Sequence, residues 1–235
     1  MQRNRASTVT LAPTLSSRPS MLKDVFQALH PKSCPRDYNF HMHTTYSDGR
    51  LHPQALIEQA IDIGLKGLAI TDHHSVGGYQ TARRCLQNRG TSGDRSSLPT
   101  LWSGVEVNAN LLDTEVHILG YDFDPDVECI QPYLQGRAVT GSHYQAASAI
   151  DAIHQAGGIA VLAHPARYRR SPVELIRAAA DLGIDGAEAY YAYNNPDPWT
   201  PSPRQTEQVR ELNACYGLLS TCGTDTHGLS ILQRL

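Results

Sequence analysis

The chain has 235 residues, 40% of them hydrophobic, and a formal net charge of −3 at pH 7. This length and apolar content suit one domain with a sizeable core. The near-neutral charge argues against a strongly basic surface for duplex nucleic acid. No apolar run approaches the roughly 18 residues of a membrane span. We therefore expect neither duplex nucleic acid nor a membrane as a partner, whereas an anion held by bound cations stays open.

The first residues differ in composition from the rest of the chain. Residues 1–20 hold three arginines, many Ser and Thr, and no acidic residue. This composition is typical of a transit peptide. It equally suits a disordered tail, or a start placed too early with Met21 as the true initiator. The sequence predicts a poorly ordered segment over 1–36, followed by one domain over 37–235.

Apolar β-prone runs then alternate with helical patterns. Pro53 suits a first helical turn and Gly64 a helix end. Helices are predicted at 53–63, 79–87, 130–156, 173–182 and 205–215, and a break near Gly141 in the third of them stays open. Strands are predicted at 38–43, 68–71, 101–107, 116–123, 159–163, 187–191 and 218–222. Loops are predicted at 90–99 and in the proline-rich stretch 196–203. The alternation indicates an α/β fold with a mostly parallel sheet or barrel, in which the chemistry lies at the carboxyl ends of the strands.

Histidines and carboxylates collect at those strand ends. The first strand ends in His41-Met42-His43, and residues i and i+2 of a strand point to the same side. Asp48 follows in a loop where Gly49 permits a tight turn. The complete set of candidate metal ligands is His41, His43, Asp48, His73, Glu106, His117, His164, Asp225 and His227. Nine ligands exceed the four positions of one tetrahedral zinc ion, so we predict two or three divalent ions, with manganese, iron or zinc favoured by the mixed donors.

Several other residues have more ordinary interpretations. A lone histidine at a strand end is usually a hydrogen-bonding residue, so the prediction depends on the joint pattern. His74 would point away from the ligands, and Asp72 is expected to hold a ligand imidazole in place. Cys222 is expected to be a small buried hydrophobic residue. Structural roles are expected for His30, His52 and His154.

The five cysteines indicate the compartment. Their number is odd and none is in C-x-x-C spacing, which argues against a disulfide scaffold and a zinc ribbon. A reducing, cytoplasmic location is the natural expectation. The cysteines are Cys34, Cys85, Cys129, Cys215 and Cys222.

Five segments, in this order, resemble the PHP (polymerase and histidinol phosphatase) family: HMHTTYSDG, ITDH, GVE with VHILGY, AHP and GTDTH. The resemblance implies a distorted (β/α)7 TIM-like barrel with a small helical insert. It also implies how the ligands divide. One ion would take His41, His43, Glu106 and Asp225, a second Asp48, His73 and His227, and a third Glu106, His117 and His164.

Without a polymerase or helix-hairpin-helix module, the chain resembles the stand-alone branch of the family. That branch comprises nucleoside 3',5'-bisphosphate phosphatases and 5'→3' exonucleases on short RNA. Many members carry Gly-Arg-Pro-His, where this chain has Thr140-Gly141-Ser142-His143. His143 is thus a candidate to protonate the leaving group. Arg137 and Arg167 are candidates for binding substrate phosphate. Arg167 has a second interpretation, as a solvated charge beside Arg169 and Arg170.

The predicted function is hydrolysis of a phosphate ester by a metal-bridging hydroxide. The expected substrate is a nucleoside 3',5'-bisphosphate or a short 5'-phosphorylated RNA. Two alternatives stay open: a phosphatase for a small non-nucleotide metabolite such as histidinol phosphate, and a non-catalytic metal-binding scaffold. The aromatic run 190–193 has two interpretations as well, as a stacking platform for a base or as packing.

Overall fold

The computed structural model describes residues 19–92 and 98–235, which form an α/β fold. The helices are α1 (Pro19–Ala28), α2 (Pro53–Ile63), α3 (Gly77–Ser92), α4 (Ala146–Gln155), α5 (Pro172–Asp181) and α6 (Pro203–Tyr216). The strands are β1 (Tyr38–Asn39), β2 (Gly67–Ala69), β3 (Thr100–Trp102), β4 (Gly104–Leu111), β5 (Thr114–Tyr121), β6 (Ile159–Leu162), β7 (Gly186–Tyr190) and β8 (Leu219–Cys222).

These strands form two sheets. The first has three parallel strands in the order β1-β2-β3, and the second has five in the order β4-β5-β6-β7-β8. Strands β6, β7 and β8 are parallel, but β5 runs antiparallel to both β4 and β6. Leu112 and Asp113 form the two-residue turn of the β4–β5 hairpin, both with positive φ. The expected parallel arrangement therefore fails at β5.

Hydrogen bonds connect the two sheets beyond the strand ends. At one seam Phe40 N donates to Cys222 O at 3.1 Å, and Asp225 N donates to His41 O at 2.8 Å. At the other seam an isolated bridge joins His73 and Glu106, where His74 N donates to Glu106 O at 2.9 Å and Glu106 N donates to Asp72 O at 3.3 Å. The described strands thus form sheets of three and five strands, and the predicted closed (β/α)7 barrel is not confirmed.

Most predicted helices are present with small changes in their ends. Helix α2 has the predicted bounds and ends at Gly64, whose φ is 80°. Helix α3 extends to Ser92, and α6 begins at Pro203, because proline is tolerated in a first helical turn. The helical stretch predicted over 130–156 is a regular α-helix only from Ala146, and the break considered near Gly141 is present. Two 3-10 helices, Glu128–Leu134 and Gly141–Tyr144, precede α4, because Pro132 and the positive φ of Gly136 and Gly141 interrupt a regular helix.

The segment before β1 is better packed than the sequence suggests. Leu22 and Phe26 of α1 are buried, and the Phe26 ring meets those of Phe40 and Tyr121 at 4.9 and 5.5 Å. The expectation of poor order over 1–36 is thus incorrect for residues 19–36, because an apolar face of α1 covers the sheet. Residues 1–18 lie outside the described residues, and the domain boundary at 37 stays a prediction. No described helix has the length and apolar character of a membrane span.

Candidate metal centre

Glu106 lies at the centre of the site. It is buried in β4, and five imidazoles surround it. On Oε2 the nearest nitrogens are those of His41 and His43, both at 3.0 Å, and of His73 at 3.6 Å. On Oε1 they are those of His117 and His164, at 2.7 and 3.4 Å. A carboxylate has about four lone-pair positions, so these imidazoles exceed what hydrogen bonding to Glu106 alone can satisfy.

Asp225 adds a second buried carboxylate beside the same histidines. Its Oδ1 lies 3.4 Å from His41 Nε2 and 3.2 Å from His43 Nε2. The ligand atoms of these three residues and of Glu106 lie within 4.8 Å of one another. These four residues form the first donor group, a set of ligand atoms close enough to bind one ion. They are the same four residues as the first ligand set implied by the family resemblance.

A second group of donors forms the more exposed side of the site. Asp48 Oδ2 lies 3.1 Å from His227 Nε2 and 3.8 Å from His73 Nε2, and Oδ1 lies 3.5 Å from His43 Nδ1. Gly49 lets this loop approach closely, since a Cβ there would lie 2.4 Å from the His43 carbonyl. The group contains the expected Asp48, His73 and His227, with His43 in addition.

A third group is formed by His73, Glu106 and His117. His164, which was expected in this set, lies close by through its 3.4 Å contact with Glu106 Oε1. The backbone at His164 has φ 28°, and at Asp225 it has φ 55°. Non-glycine residues held in such conformations are concentrated at functional sites.

Electrostatics separate the imidazoles into two kinds. Burial alone would lower the pKa of His41 and His43, but the neighbouring carboxylates outweigh burial. As a result, the pKa of His41 lies well above its usual value and that of His43 rises to about 9. Burial dominates at the other side, where it lowers the pKa of His73 to about 4 and also lowers that of His164. Conversely, His41 and His117 hold the pKa of Glu106 well below its usual range, against the effect of burial.

The donor set fits divalent cations. His43 Nε2 is buried and, among the described residues, has no hydrogen-bond partner, although it lies beside two carboxylates. The carboxylates beside His41 and His43 raise the pKa of both imidazoles. A bound cation would neutralise this negative charge in place of protons, since ligand imidazoles must be neutral. Carboxylate and imidazole donors together suit zinc, manganese or iron.

Glu188 is an outer partner of this site that the sequence analysis missed. It is fully buried in β7, and its carboxylate lies 3.1 and 3.2 Å from His41 Nδ1. Glu188 also accepts a hydrogen bond from the His164 backbone N–H at 2.9 Å. It therefore turns His41 Nε2 towards the other ligands, the usual role of a carboxylate behind a metal-binding histidine. The available signal was a charged Glu between Ala187 and Ala189, inside a predicted strand.

Two of the three proposed catalytic residues lie elsewhere. The cavity at the site has a volume of about 130 Å³ and is lined by Asp48, His73, Glu106, His117, His164, Arg167, Asp225, His227 and Arg234. Arg167 is thus in place, and it contacts Asp225 at 3.2 Å. His143 and Arg137 are exposed and do not line this cavity. Their contact with substrate stays a prediction.

The secondary assignments near the site are partly confirmed. Asp72 binds no imidazole and instead accepts hydrogen bonds from Thr44 N and Ser47 Oγ, which fixes the Asp48 loop. His74 points away from the ligands, as expected, and its Nε2 lies 3.1 Å from Asn108 N. Tyr191 is buried, so the packing interpretation of the aromatic run is favoured there.

The three histidines with expected structural roles all lie outside the site. His52 caps α2, His30 accepts a hydrogen bond from Lys32 N, and His154 pairs with Asp185. Cys222 is fully buried, as predicted, and the five cysteines are free thiols.

Comparison with known proteins agrees with this geometry. A 5'-3' exoribonuclease (Rnm) of Escherichia coli (strain K12) is 27% identical, over 81% of this chain and 85% of its own length. A 3',5'-nucleoside bisphosphate phosphatase of Chromobacterium violaceum is 31% identical, over 52% of this chain and 39% of its own length. A solved structure described as a metal-dependent phosphoesterase, from Bifidobacterium adolescentis, has a TM-score of 0.65 and 24% identity, covering 83% of this chain and 88% of that one. The PHP domain model matches residues 39–128, which confirms the resemblance of this chain to the PHP family.

Proposed function

We propose that this protein hydrolyses a phosphate ester of a nucleotide, either a nucleoside 3',5'-bisphosphate or a short 5'-phosphorylated RNA. Metal-dependent phosphoester hydrolysis follows from its match to the PHP domain model and from its relatives. The observation that carries the proposal is the convergence of five imidazoles on buried Glu106, next to Asp225. The nucleotide class is suggested by the named activities of the relatives.

The proposed metal ligands are the nine residues predicted from the sequence. His41, His43, Glu106 and Asp225 would hold one ion, Asp48, His73 and His227 a second, and Glu106, His117 and His164 a third. When bound, divalent ions would lower the pKa of water, which could then act as the nucleophile at neutral pH. They would also neutralise negative charge on the phosphoryl oxygens. Manganese, iron and zinc are the candidate metals.

The chain's own residues then position the substrate. Glu188 fixes the orientation of His41, and Asp72 fixes the loop that carries Asp48. Arg167 lines the cavity with its guanidinium, which can bind phosphate oxygens through charge-assisted hydrogen bonds. The cavity of about 130 Å³ is smaller than a typical pocket for a drug-sized ligand, so it suits the phosphate-bearing part of a substrate better than a whole nucleotide.

Two broader features belong to the same proposal. The two sheets would be the halves of a distorted seven-stranded barrel, with β3 and β4 as one interrupted strand. A phosphorylated small molecule or a short oligonucleotide would be the partner, in a reducing, cytoplasmic compartment where the free cysteines persist.

Phosphate release by metal-free protein reloaded with manganese tests the function. The substrates are adenosine 3',5'-bisphosphate, a short 5'-phosphorylated RNA and histidinol phosphate. We expect turnover of the bisphosphate or the RNA well above that of histidinol phosphate. Preference for histidinol phosphate would favour the small-metabolite alternative. Bound metal without turnover of any substrate would favour the scaffold alternative.

A further inference from the structure

Asp225 presents its two carboxylate oxygens to two different environments. Oδ1 faces the imidazoles of His41 and His43. Oδ2 accepts hydrogen bonds from Tyr191 Oη at 2.7 Å, Arg234 Nε at 2.8 Å and Arg167 Nη1 at 3.2 Å. One carboxylate group therefore separates the metal donors from a pair of guanidiniums.

Arg234 is held firmly in this place by its own segment. Its carbonyl accepts the backbone N–H groups of His227 at 2.6 Å and Gly228 at 3.2 Å. Ile231, three residues earlier, is fully buried, and its carbonyl accepts a hydrogen bond from Asn39 Nδ2 at 2.9 Å. The guanidinium is thus presented to the cavity by an ordered backbone, which reduces the entropy cost of binding a ligand.

Two guanidiniums are more than the structure requires to hold one carboxylate oxygen that already accepts a tyrosine hydroxyl. Both line the cavity, and the side chains of Arg167 and Arg234 remain 45% and 20% exposed. Arg234 uses Nε in its contact with Asp225. Its terminal nitrogens are not used in that contact, and a planar guanidinium can bind phosphate through two parallel hydrogen bonds.

We propose that Arg234, together with Arg167, binds the phosphate of the substrate that is not cleaved. Arg234 thereby takes the role that the sequence analysis gave to Arg137. The ligand class is a compound with two phosphate groups, one at the metal donors and one at the arginine pair. This inference rests on the proposed function, because it presumes that the other phosphate lies at the metal centre.

The competing explanation is that Arg234 only positions Asp225. Loss of Arg234 would then weaken metal binding and would slow all substrates by the same factor. A phosphate-binding role instead predicts a change in preference between substrates. The two explanations are separated by measuring metal content and substrate preference on the same variant.

The test compares Arg234→Ala with wild type after reloading with manganese. Metal content is measured by mass spectrometry, and kcat/KM is measured for adenosine 3',5'-bisphosphate, adenosine 3'-phosphate and adenosine 5'-phosphate. We expect the ratio of bisphosphate to monophosphate kcat/KM to fall by about 10- to 100-fold, the usual effect of losing a charge-assisted hydrogen bond. Arg234→Lys, which keeps the charge but not the fork, should recover part of the ratio. Arg169→Ala removes one exposed arginine nearby and should leave the ratio unchanged.

Direct binding separates this inference from the proposed function. Isothermal titration of metal-free protein with adenosine 3',5'-bisphosphate should show weaker binding by Arg234→Ala than by wild type, even if wild type hydrolyses none of the substrates. An unchanged affinity, or an equal loss of activity on all three substrates together with lost metal, would overturn the assignment of Arg234.

Discussion

Two histidine–carboxylate clusters, one around Asp185 and one around Glu106, differ in the partners that they require. Asp185 directly precedes β7 and accepts hydrogen bonds from Ala160 N at 2.9 Å and His154 Nε2 at 2.7 Å, and it pairs with Lys23 at 3.3 Å. Protein donors therefore satisfy its carboxylate oxygens. In the second cluster, five imidazoles surround Glu106, more than one carboxylate can accept. A surplus of imidazoles, rather than a His–carboxylate pair, therefore distinguishes a metal site from a structural contact.

The largest effect is expected for Glu106→Gln, which removes the carboxylate shared by the donor groups. We expect kcat/KM to fall by more than about 100-fold, beyond the usual effect of losing an outer-shell partner. Bound manganese should decrease as well, because the amide is neutral. Phosphate release and metal analysis on reloaded protein measure both quantities. Wild-type metal content and activity in this variant would contradict a central role for Glu106.

Glu188→Gln tests whether the Glu188 carboxylate orients the ligand His41. The amide keeps the volume but loses the charge that orients His41 Nδ1. We expect manganese affinity or activity to fall by about 10- to 100-fold. Equilibrium dialysis measures the affinity, and Asp185→Asn is the matched control, since it neutralises a partly buried carboxylate outside the donor groups. An equal loss of manganese affinity in both variants would contradict the distinction between the clusters.

Asp185→Asn should instead reduce stability. Its carboxylate connects α1, α4 and the start of β6, so the loss of its hydrogen bonds should lower the free energy of unfolding by roughly 1–3 kcal/mol. Urea unfolding of metal-free protein provides the measurement. Manganese affinity should not change, and a marked decrease would show that Asp185 is coupled to the site.

The smallest effect is expected for His154→Ala. The His154 side chain is 36% exposed, so its pair with Asp185 is screened by solvent. The free energy of unfolding should fall by less than about 1 kcal/mol. The same urea measurement applies. A loss as large as that of Asp185→Asn would mean that the imidazole, rather than Ala160 N or Lys23, carries the contribution of this cluster.

The ligands were predictable because their signals are local. His41 and His43 stand at i and i+2 of a strand, and each further ligand follows or lies in a predicted strand. The parallel strands bring most of these positions together, and the antiparallel β5 adds His117. Helix α2 was equally predictable from the sequence, because Pro53 and Gly64 mark its two ends.

Other features depend on contacts between residues distant in sequence. The β4–β5 hairpin turns at Leu112-Asp113 without the Asn-Gly or Asp-Gly pair that signals a two-residue turn, so the antiparallel strand was missed. Glu188 and Arg234 have no recognisable spacing from the ligands they meet. Arg137 and His143 were placed at the site by analogy with a motif, and the break at Pro132 and Gly136 leaves them exposed.

A manganese titration of metal-free wild type and Glu106→Gln is the most direct test of a metal centre built around Glu106. Bound manganese and phosphate release from adenosine 3',5'-bisphosphate are measured on the same dialysed samples. We expect wild type to bind at least two ions per chain and to gain activity as they bind. Glu106→Gln should bind fewer ions and release little phosphate. Equal phosphate release by the two proteins, or full activity of wild type in excess chelator, would contradict this expectation.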